Sequence, residues 1–513
     1  IPGVRVSNGE RVVVTDDQGR YRLPVADAGG VVFITKPAGW ATPLDANNLP
    51  QFHYVHRPDG SPEGLRYAGV EPTGPLPERI DFPLRRQEEP ERFEALLFAD
   101  TQPQTHAEID YIRDDVIAGL IGTDARFGMT LGDIVFDDLS LLPRYLAVVS
   151  RLGIPWYNVP GNHELNLDAA DDAGSLETFR RFFGPSYYAF EYGKALFVVL
   201  DNVDYQGQGG SDPADFRGNG GYQGRLTERQ LAWLEAELSH VPRERLVFLA
   251  MHIPLETYTG EPGRPSGNTV NRRELFRVLD GRPNVYAVAG HTHTNEHHYF
   301  GAEDGWEGDA PLHHHVLSTV SGSWWSGPLD ARGIPVAEQR DGSPNGYHVL
   351  EVDGHDVSVR YRAAGESADH QMRVYFDVSH HASNVAGLRD YRHGEPFDGR
   401  FTEDDVAAAH VMVNLFDGGP RSRVTMRVNE RAPIRMTRVN QVDLTTRALY
   451  ARNADLVKPW VEAVPSSHLW SADLPDDLPA GTHTLTVEAV DEFGRTHHAH
   501  RIIEVEGSPA RRN

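Results

Sequence analysis

Six short apolar runs, FEALLF, FGMTL, PWYNV, ALFVVL, RLVFLAM and VYAVA, punctuate the chain between Phe93 and Ala289. Amphipathic stretches separate several of them. AEIDYIRDDVIAGLIG (107–122) sets Ile109, Ile112, Val116, Ile117 and Leu120 on one stripe at helical spacing. LLPRYLAVVSRLG (141–153), TERQLAWLEAELSH (227–240) and NRRELFRVL (271–279) read as further helices. Strands that alternate with helices bury their faces in an α/β layered domain. We place that domain at residues 91–352 of the 513.

The flanks read differently. Residues 1–88 are predicted all-β, with hairpin signals at Asn8-Gly9 and at Asp16-Asp17-Gln18-Gly19, a strand at VVFITKP (31–37) and a Pro- and Gly-rich loop from Gln51 to Pro83. They resemble the small β-sandwich modules of the carboxypeptidase-regulatory or transthyretin-like kind, which are often appended to exported enzymes. RRQEEPER (85–92) is a charged linker. Residues 353–510 return to β, with hairpins at 424–439 and 484–507. We expect an immunoglobulin-like or related sandwich there, irregular between Asp455 and Asp477.

Charge narrows the partners. Lys and Arg total 49 against 74 Asp and Glu, a net charge of −25. Nucleic-acid polymers and anionic membranes call for the opposite sign. With no Cys, disulfides, thiolate nucleophiles and Cys-bound metals are excluded. The longest pure apolar runs, such as ALFVVL (195–200), are far too short to cross a bilayer as a helix. The sequence begins at Ile1 and not at Met. The expectation is a secreted or periplasmic protein whose signal segment has been removed.

The strand ends carry the chemistry. The first run ends in Asp100-Thr101-Gln102, the second in Gly132-Asp133 and the third in Gly161-Asn162-His163-Glu164. Two later ones end in His252 and in Gly290-His291-Thr292-His293. Open α/β sheets bind ligands at the carboxyl ends of their strands. Glycines before Asn162 and His291 suit tight turns that expose the next side chain. His291 and His293, two apart, share one side of an extended segment.

That set suits a pair of divalent cations. Two cations about 3.5–4 Å apart need a bridging carboxylate and neutral N or O ligands around it. Asp133 is the natural bridge. Asp100, Gln102 and His293 would complete one ion's shell, and Asn162, His252 and His291 the other's. Such a pair holds a hydroxide between the ions and clamps phosphoryl oxygens for in-line attack. Singly, each motif is as readily a turn or a helix cap. Five in this order on one domain are not.

The series DTQ, GD, GNHE, H and GHTH resembles the pattern D-x-H, G-D, G-N-H-[DE], H, G-H-x-H of the calcineurin-like metallophosphoesterases. The flanking β segments resemble those of an exported bacterial branch. The resemblance implies a β-sandwich core flanked by helices, two divalent ions (Mn, Fe, Zn or Mg), and hydrolysis of phosphate mono- or diesters. It also implies that His163 assists the leaving group, as an imidazole can near neutral pH. Asp137 and Asp138 are candidates to hold the His163 tautomer, and a solvated acidic loop is the alternative. Gln102 stands where the family has His. Its amide oxygen is a harder, weaker ligand that favours Mn²⁺ or Mg²⁺, and a Gln102 that does not ligate stays open.

Other features are softer. Trp324 and Trp325, on the SGSWWSGP loop, can stack on a planar or sugar moiety or can anchor a neighbouring module. Asp201 ends a strand on the same rim. The leading expectation is a small phosphate-ester substrate. The alternatives are a monoesterase or nucleotidase, a diesterase of sugar or lipid head groups, and a surface-binding protein with a degenerate core.

Overall fold

The apolar runs are strands. The computed structural model describes residues 1–27, 29–207, 221–259, 266–378, 399–402 and 406–507. They divide into two compact units. One comprises residues 1–292, 298–321 and 347–359. The other comprises 293–297, 322–346 and the chain from 360 onward.

Two mixed sheets form the heart of the first unit. One has the order Tyr188–Tyr192, Ala195–Val199, Leu246–Ala250, Val285–Ala289, Leu312–Val316, Glu296–Phe300. The other runs Asp356–Ala363, Gly346–Asp353, Arg92–Phe98, Gly128–Leu131, Trp156–Val159. Within each, the strands that precede the candidate ligands are parallel to one another. Ala195–Val199 and Leu246–Ala250 are buried along their whole length. That explains why they read as unbroken apolar runs without alternation.

Aromatic rings fill the space between the sheets. Tyr157 stacks on Phe190 at 3.7 Å, Phe127 meets Phe197 at 5.0 Å, and Phe93 meets Tyr192 at 4.6 Å. Helices His106–Ile112, Leu142–Val149, Glu177–Phe183, Glu228–Leu238 and Arg272–Val278 belong to the same unit. Thr227 caps the Glu228–Leu238 helix by accepting from the Gln230 N–H.

The N-terminal sheet, ordered Val12–Val14, Arg5–Ser7, Gly30–Ile34, His53–His56, lies in this unit too. Phe33 packs edge-on against Trp233 at 6.0 Å. Arg5 pairs with Glu191 at 2.8 Å and with Glu237 at 2.6 Å, and Lys36 with Glu89 at 2.6 Å, all buried or nearly so.

The second unit is a sandwich. One sheet holds Met372–Asp377, His410–Leu415, Pro465–Asp473 and Thr437–Val442. The other holds Arg400–Thr402, Thr496–Glu506, Gly481–Val490, Arg423–Val428 and Ile434–Arg435. Phe376, Val413, Val424, Trp470, Val487 and Ile503 share its core. Two expectations are corrected here. The stretch expected to be irregular contains the strand Pro465–Asp473, paired on both sides. The 424–439 segment is a hairpin only to Arg435, because the chain then crosses to the other sheet. Buried Met436 sits at that crossing.

Gly128 pairs with Trp156 across the five-stranded sheet, and a Cβ there would lie 2.0 Å from the Trp156 ring. The indole is held in place by its hydrogen bond to Thr130 Oγ1 at 2.8 Å. Gly128→Ala should therefore destabilise the protein by about 1–3 kcal/mol, the scale of core overpacking. Chemical denaturation checks this, and an unchanged midpoint refutes it.

Candidate metal centre

Among the described residues, five of the ten non-glycine residues with positive φ sit at or just after these strand ends of the first unit: Asp100 (45°), Gln102 (36°), Asp133 (50°), Asp137 (56°) and His291 (78°). Left-handed backbone costs about 1–3 kcal/mol at such residues and persists only where the surroundings enforce it. The turns do not need glycine at Gly161 or Gly290 for its φ, as the sequence suggests. They need it for space. A Cβ on Gly161 would lie 2.2 Å from the Asp133 nitrogen, and one on Gly290 2.2 Å from Asp100 Oδ2.

Asp133 is the meeting point. Its Oδ1 lies 3.2 Å from His252 Nε2 and accepts from the His163 N–H at 3.0 Å. Its Oδ2 accepts from Gln102 Nε2 at 2.7 Å. His252 Nε2 also lies 3.0 Å from Asn162 Oδ1 and 3.1 Å from His291 Nδ1. Both carboxylate oxygens of Asp100 receive the His291 N–H, at 3.0 and 2.9 Å. The structure therefore brings Asn162, His252, His291 and Asp133 together, with Gln102 against the far oxygen of Asp133.

Hydrogen bonds on the outer nitrogens fix the imidazoles. His252 Nδ1 faces the Leu131 carbonyl at 2.8 Å, and His291 Nε2 faces the Ser266 carbonyl at 3.0 Å. A carbonyl only accepts, so each outer nitrogen carries the proton. In the neutral rings, His252 Nε2 and His291 Nδ1 are then bare lone pairs. They converge with two oxygens of acceptor character, Asp133 Oδ1 and Asn162 Oδ1. Separations near 3 Å are those of atoms sharing one cation at about 2.0–2.2 Å. Gln102 adds a buried Oε1 with no hydrogen-bond partner. This donor set fits divalent cations.

The electrostatics agree. Burial pushes Asp100 up to about 8, against the pull of His252. Burial acts the same way on Asp133, yet the imidazoles of His252 and His163 hold it well below the usual carboxylate range. His252 is disfavoured as a cation by burial, but Asp133 raises it to about 9. His291, buried beside His252, falls to about 3. Without a metal ion, a single proton on His252 neutralises the cluster.

Glu164 is the residue that sequence reasoning passes over. It is fully buried and accepts from the N–H groups of Ile134 (2.8 Å), Val135 (3.2 Å) and Gly161 (2.9 Å). It thereby ties the Asp133 loop to the Asn162 loop. The fourth position of GNHE was the signal available.

His163 donates from Nδ1 to Asp137 Oδ1 at 2.7 Å and stacks on Phe136 at 4.3 Å between ring centres. Its Nε2 lies 3.7 Å from Asp133 Oδ2. Asp138 instead caps the next turn, accepting from Ser140 N.

The remaining candidates are His293, Trp324, Trp325 and Asp201. His293 belongs to the second unit, where Nδ1 faces the Gly322 carbonyl at 2.6 Å and the ring stacks on Trp324 at 3.7 Å. Trp325 is 3% exposed, so its faces are covered and it offers no ligand surface. Asp201 lines a cavity of about 710 Å³ with Ser186, Asp172 and Gln230, none of which is a ligand candidate. His314, the middle of three successive histidines at 313–315, accepts from the Leu255 N–H at 3.1 Å and braces the segment after His252.

Residues 96–295 match the family described as calcineurin-like phosphoesterase. Residues 1–68 and 314–497 match the N-terminal and C-terminal families described for the same enzymes. The chain belongs to the calcineurin-like phosphoesterases. The chain is 26% identical over 210 residues to the 3',5'-cyclic adenosine monophosphate phosphodiesterase CpdA of Escherichia coli K12, across 40% of the chain and 65% of that protein. It is 27% identical over 146 residues to a probable glycerophosphodiester phosphodiesterase, GpdQ, of Arcobacter nitrofigilis, across 28% of the chain and 48% of that protein. An uncharacterized Bacillus subtilis protein, YvnB, matches at 26% over 230 residues, 42% of the chain and 16% of its own length. The chain thus spans less than two thirds of each of these relatives. Among solved structures, purple acid phosphatase PPD1 of yellow lupin aligns over 71% of this chain and 67% of its own, at 15% identity and a TM-score of 0.37.

Cation uptake should displace the His252 proton. Apparent affinity for Mn²⁺ or Zn²⁺ should then fall as pH drops below about 9, by up to about tenfold per pH unit for each proton released. Calorimetric titration in buffers of different ionisation enthalpy measures the release. Uptake without proton release at pH 7 contradicts this assignment.

Proposed function

We propose that the chain hydrolyses phosphate esters at a centre of two divalent cations, with Asp133 placed between them. The observation that carries this is the convergence of lone pairs from Asp133, Asn162, His252 and His291 on one point, their outer nitrogens locked by carbonyls. Asp133 turns one oxygen to that cluster and the other to Gln102. This supports a bridging role, with Asp100 and Gln102 as holders of the second ion. When bound, the cations supply Lewis acidity to the phosphoryl group and an activated water.

The chain's own residues do the rest. Glu164 fixes the spacing of the two loops through three backbone N–H groups. Asp137 holds the His163 proton on Nδ1, so Nε2 is the atom that transfers a proton to the departing oxygen. Phe136 fixes the ring plane. The substrate is a small phosphate ester. Diesters are favoured over monoesters, because two of the relatives are named as phosphodiesterases. A degenerate, purely binding core is disfavoured by the near-complete ligand set that the strand ends retain.

Metal analysis of protein reconstituted with Mn²⁺, followed by turnover of p-nitrophenyl phosphate and bis(p-nitrophenyl) phosphate, tests the proposal. A loaded protein inert to both refutes it. His163→Ala should keep its metal and lose about 10²-fold or more in kcat. The loss should be smaller for p-nitrophenolate, which departs without a proton, than for an alkyl alkoxide. An equal loss on both excludes His163 as the proton donor.

A further inference from the structure

The N-terminal loop Ser61–Val70 is fastened to the chain that follows GNHE. Ser61 Oγ donates to Glu177 Oε2 at 2.5 Å, and Arg57 pairs with the same carboxylate. The Tyr67 carbonyl accepts from Thr178 Oγ1 at 3.0 Å and from Asn166 Nδ2 at 3.4 Å. Asn166 is the third residue after His163. The Arg66 N–H donates to Asp168 Oδ2 at 2.6 Å. Gly69 leaves no room for slack, since a Cβ there would lie 2.3 Å from Ser61 Oγ.

This fastening presents two side chains. The Arg66 guanidinium lies over the Tyr67 ring, 5.0 Å from its centre. Tyr67 is close enough to Asp138 and Asp137 that their charges, after burial, raise its hydroxyl to about 12. Arg66 in turn helps hold Asp138 low. Asp137 is the residue that orients His163. Arg66 is exposed and forms no ion pair with any described residue. An exposed guanidinium beside Asp138, in a chain of net charge −25, offers an anion a cationic contact next to the Asp137–Asp138 turn.

The geometry points to Arg66, seated on Tyr67, as a specificity residue of the phosphoesterase: it takes an anionic group, carboxylate or phosphate, carried by the leaving alcohol that His163 protonates. A guanidinium fork matches such groups in shape and charge. The aromatic face beneath restricts where it can point. This inference rests on the proposed phosphoesterase activity and deepens it, because it gives the N-terminal sheet a part in substrate choice.

Two matched diesters test it, methyl 3-carboxyphenyl phosphate and methyl 3-carbamoylphenyl phosphate, which differ in the charge on the leaving group. Arg66→Ala should raise KM for the carboxylate ester about five- to tenfold, the scale of one charge-assisted hydrogen bond. It should leave kcat, metal content and the carbamoyl ester within about twofold. Arg66→Lys should recover part of the loss, and Tyr67→Ala should shift KM in the same direction as Arg66→Ala. Equal effects of Arg66→Ala on both esters, or none on either, overturn the inference while the phosphoesterase reading stands. A metal-loaded wild type that cleaves neither ester overturns both.

Discussion

Everything at the centre turns on how one carboxylate is seated. Asp133 follows Gly132 (φ 83°) and is itself left-handed, so the strand stops and its side chain enters the space between two loops. Gly132 has no room for a side chain of its own, as its Cβ would lie 2.5 Å from His252 Nδ1. The Asp133 carbonyl accepts from Gln102 N, its Oδ1 from His163 N, and its Oδ2 from Gln102 Nε2. Three strand ends therefore register on one residue before any cation is considered. A buried carboxylate is costly in isolation. Here the surrounding imidazoles and donors outweigh burial, so that it stays ionised.

Rigidity of the sheets makes this possible. The ligand residues stand on strands whose other residues are buried and interlocked by aromatic rings between the sheets. Left-handed turns at Asp100, Gln102, Asp133 and His291 would relax if the strand ends were free to shift. The strain is thus a measure of how firmly the layers grip. Glu164, pushed up to about 8 by burial and by Asp133, holds three backbone donors and completes the grip from below the ligands.

Much of this was legible from residue order alone. Strand-terminal Asp100, Asp133, Asn162, His252 and His291 stood out because each interrupts an apolar run with a ligand type, and the parallel sheets carry that pattern to one side. The tautomer locks were not legible, because Leu131 and Ser266 act through backbone carbonyls that any residue offers. Glu164 was hidden because a carboxylate that accepts from peptides looks like one that binds metal. The strand Pro465–Asp473 was missed because His468 and Trp470 break a simple alternation, being buried along with Leu469. Trp325 and Asp201 were singled out by composition and position, and tertiary packing sent one into the interior and the other to a different cavity.

The ion pairs beneath the N-terminal sheet bear on inheritance. Glu237 and Glu191 meet Arg5, and Glu89 meets Lys36, in places largely shut off from water. Stripping away the sheet would take Arg5 from Glu237, leave Glu191 with Arg245 alone, take Lys36 from Glu89, and open to water the Trp233 ring that Phe33 packs against. Acids at these positions are thus a mark, readable in a bare sequence, of cores built to carry such an attachment.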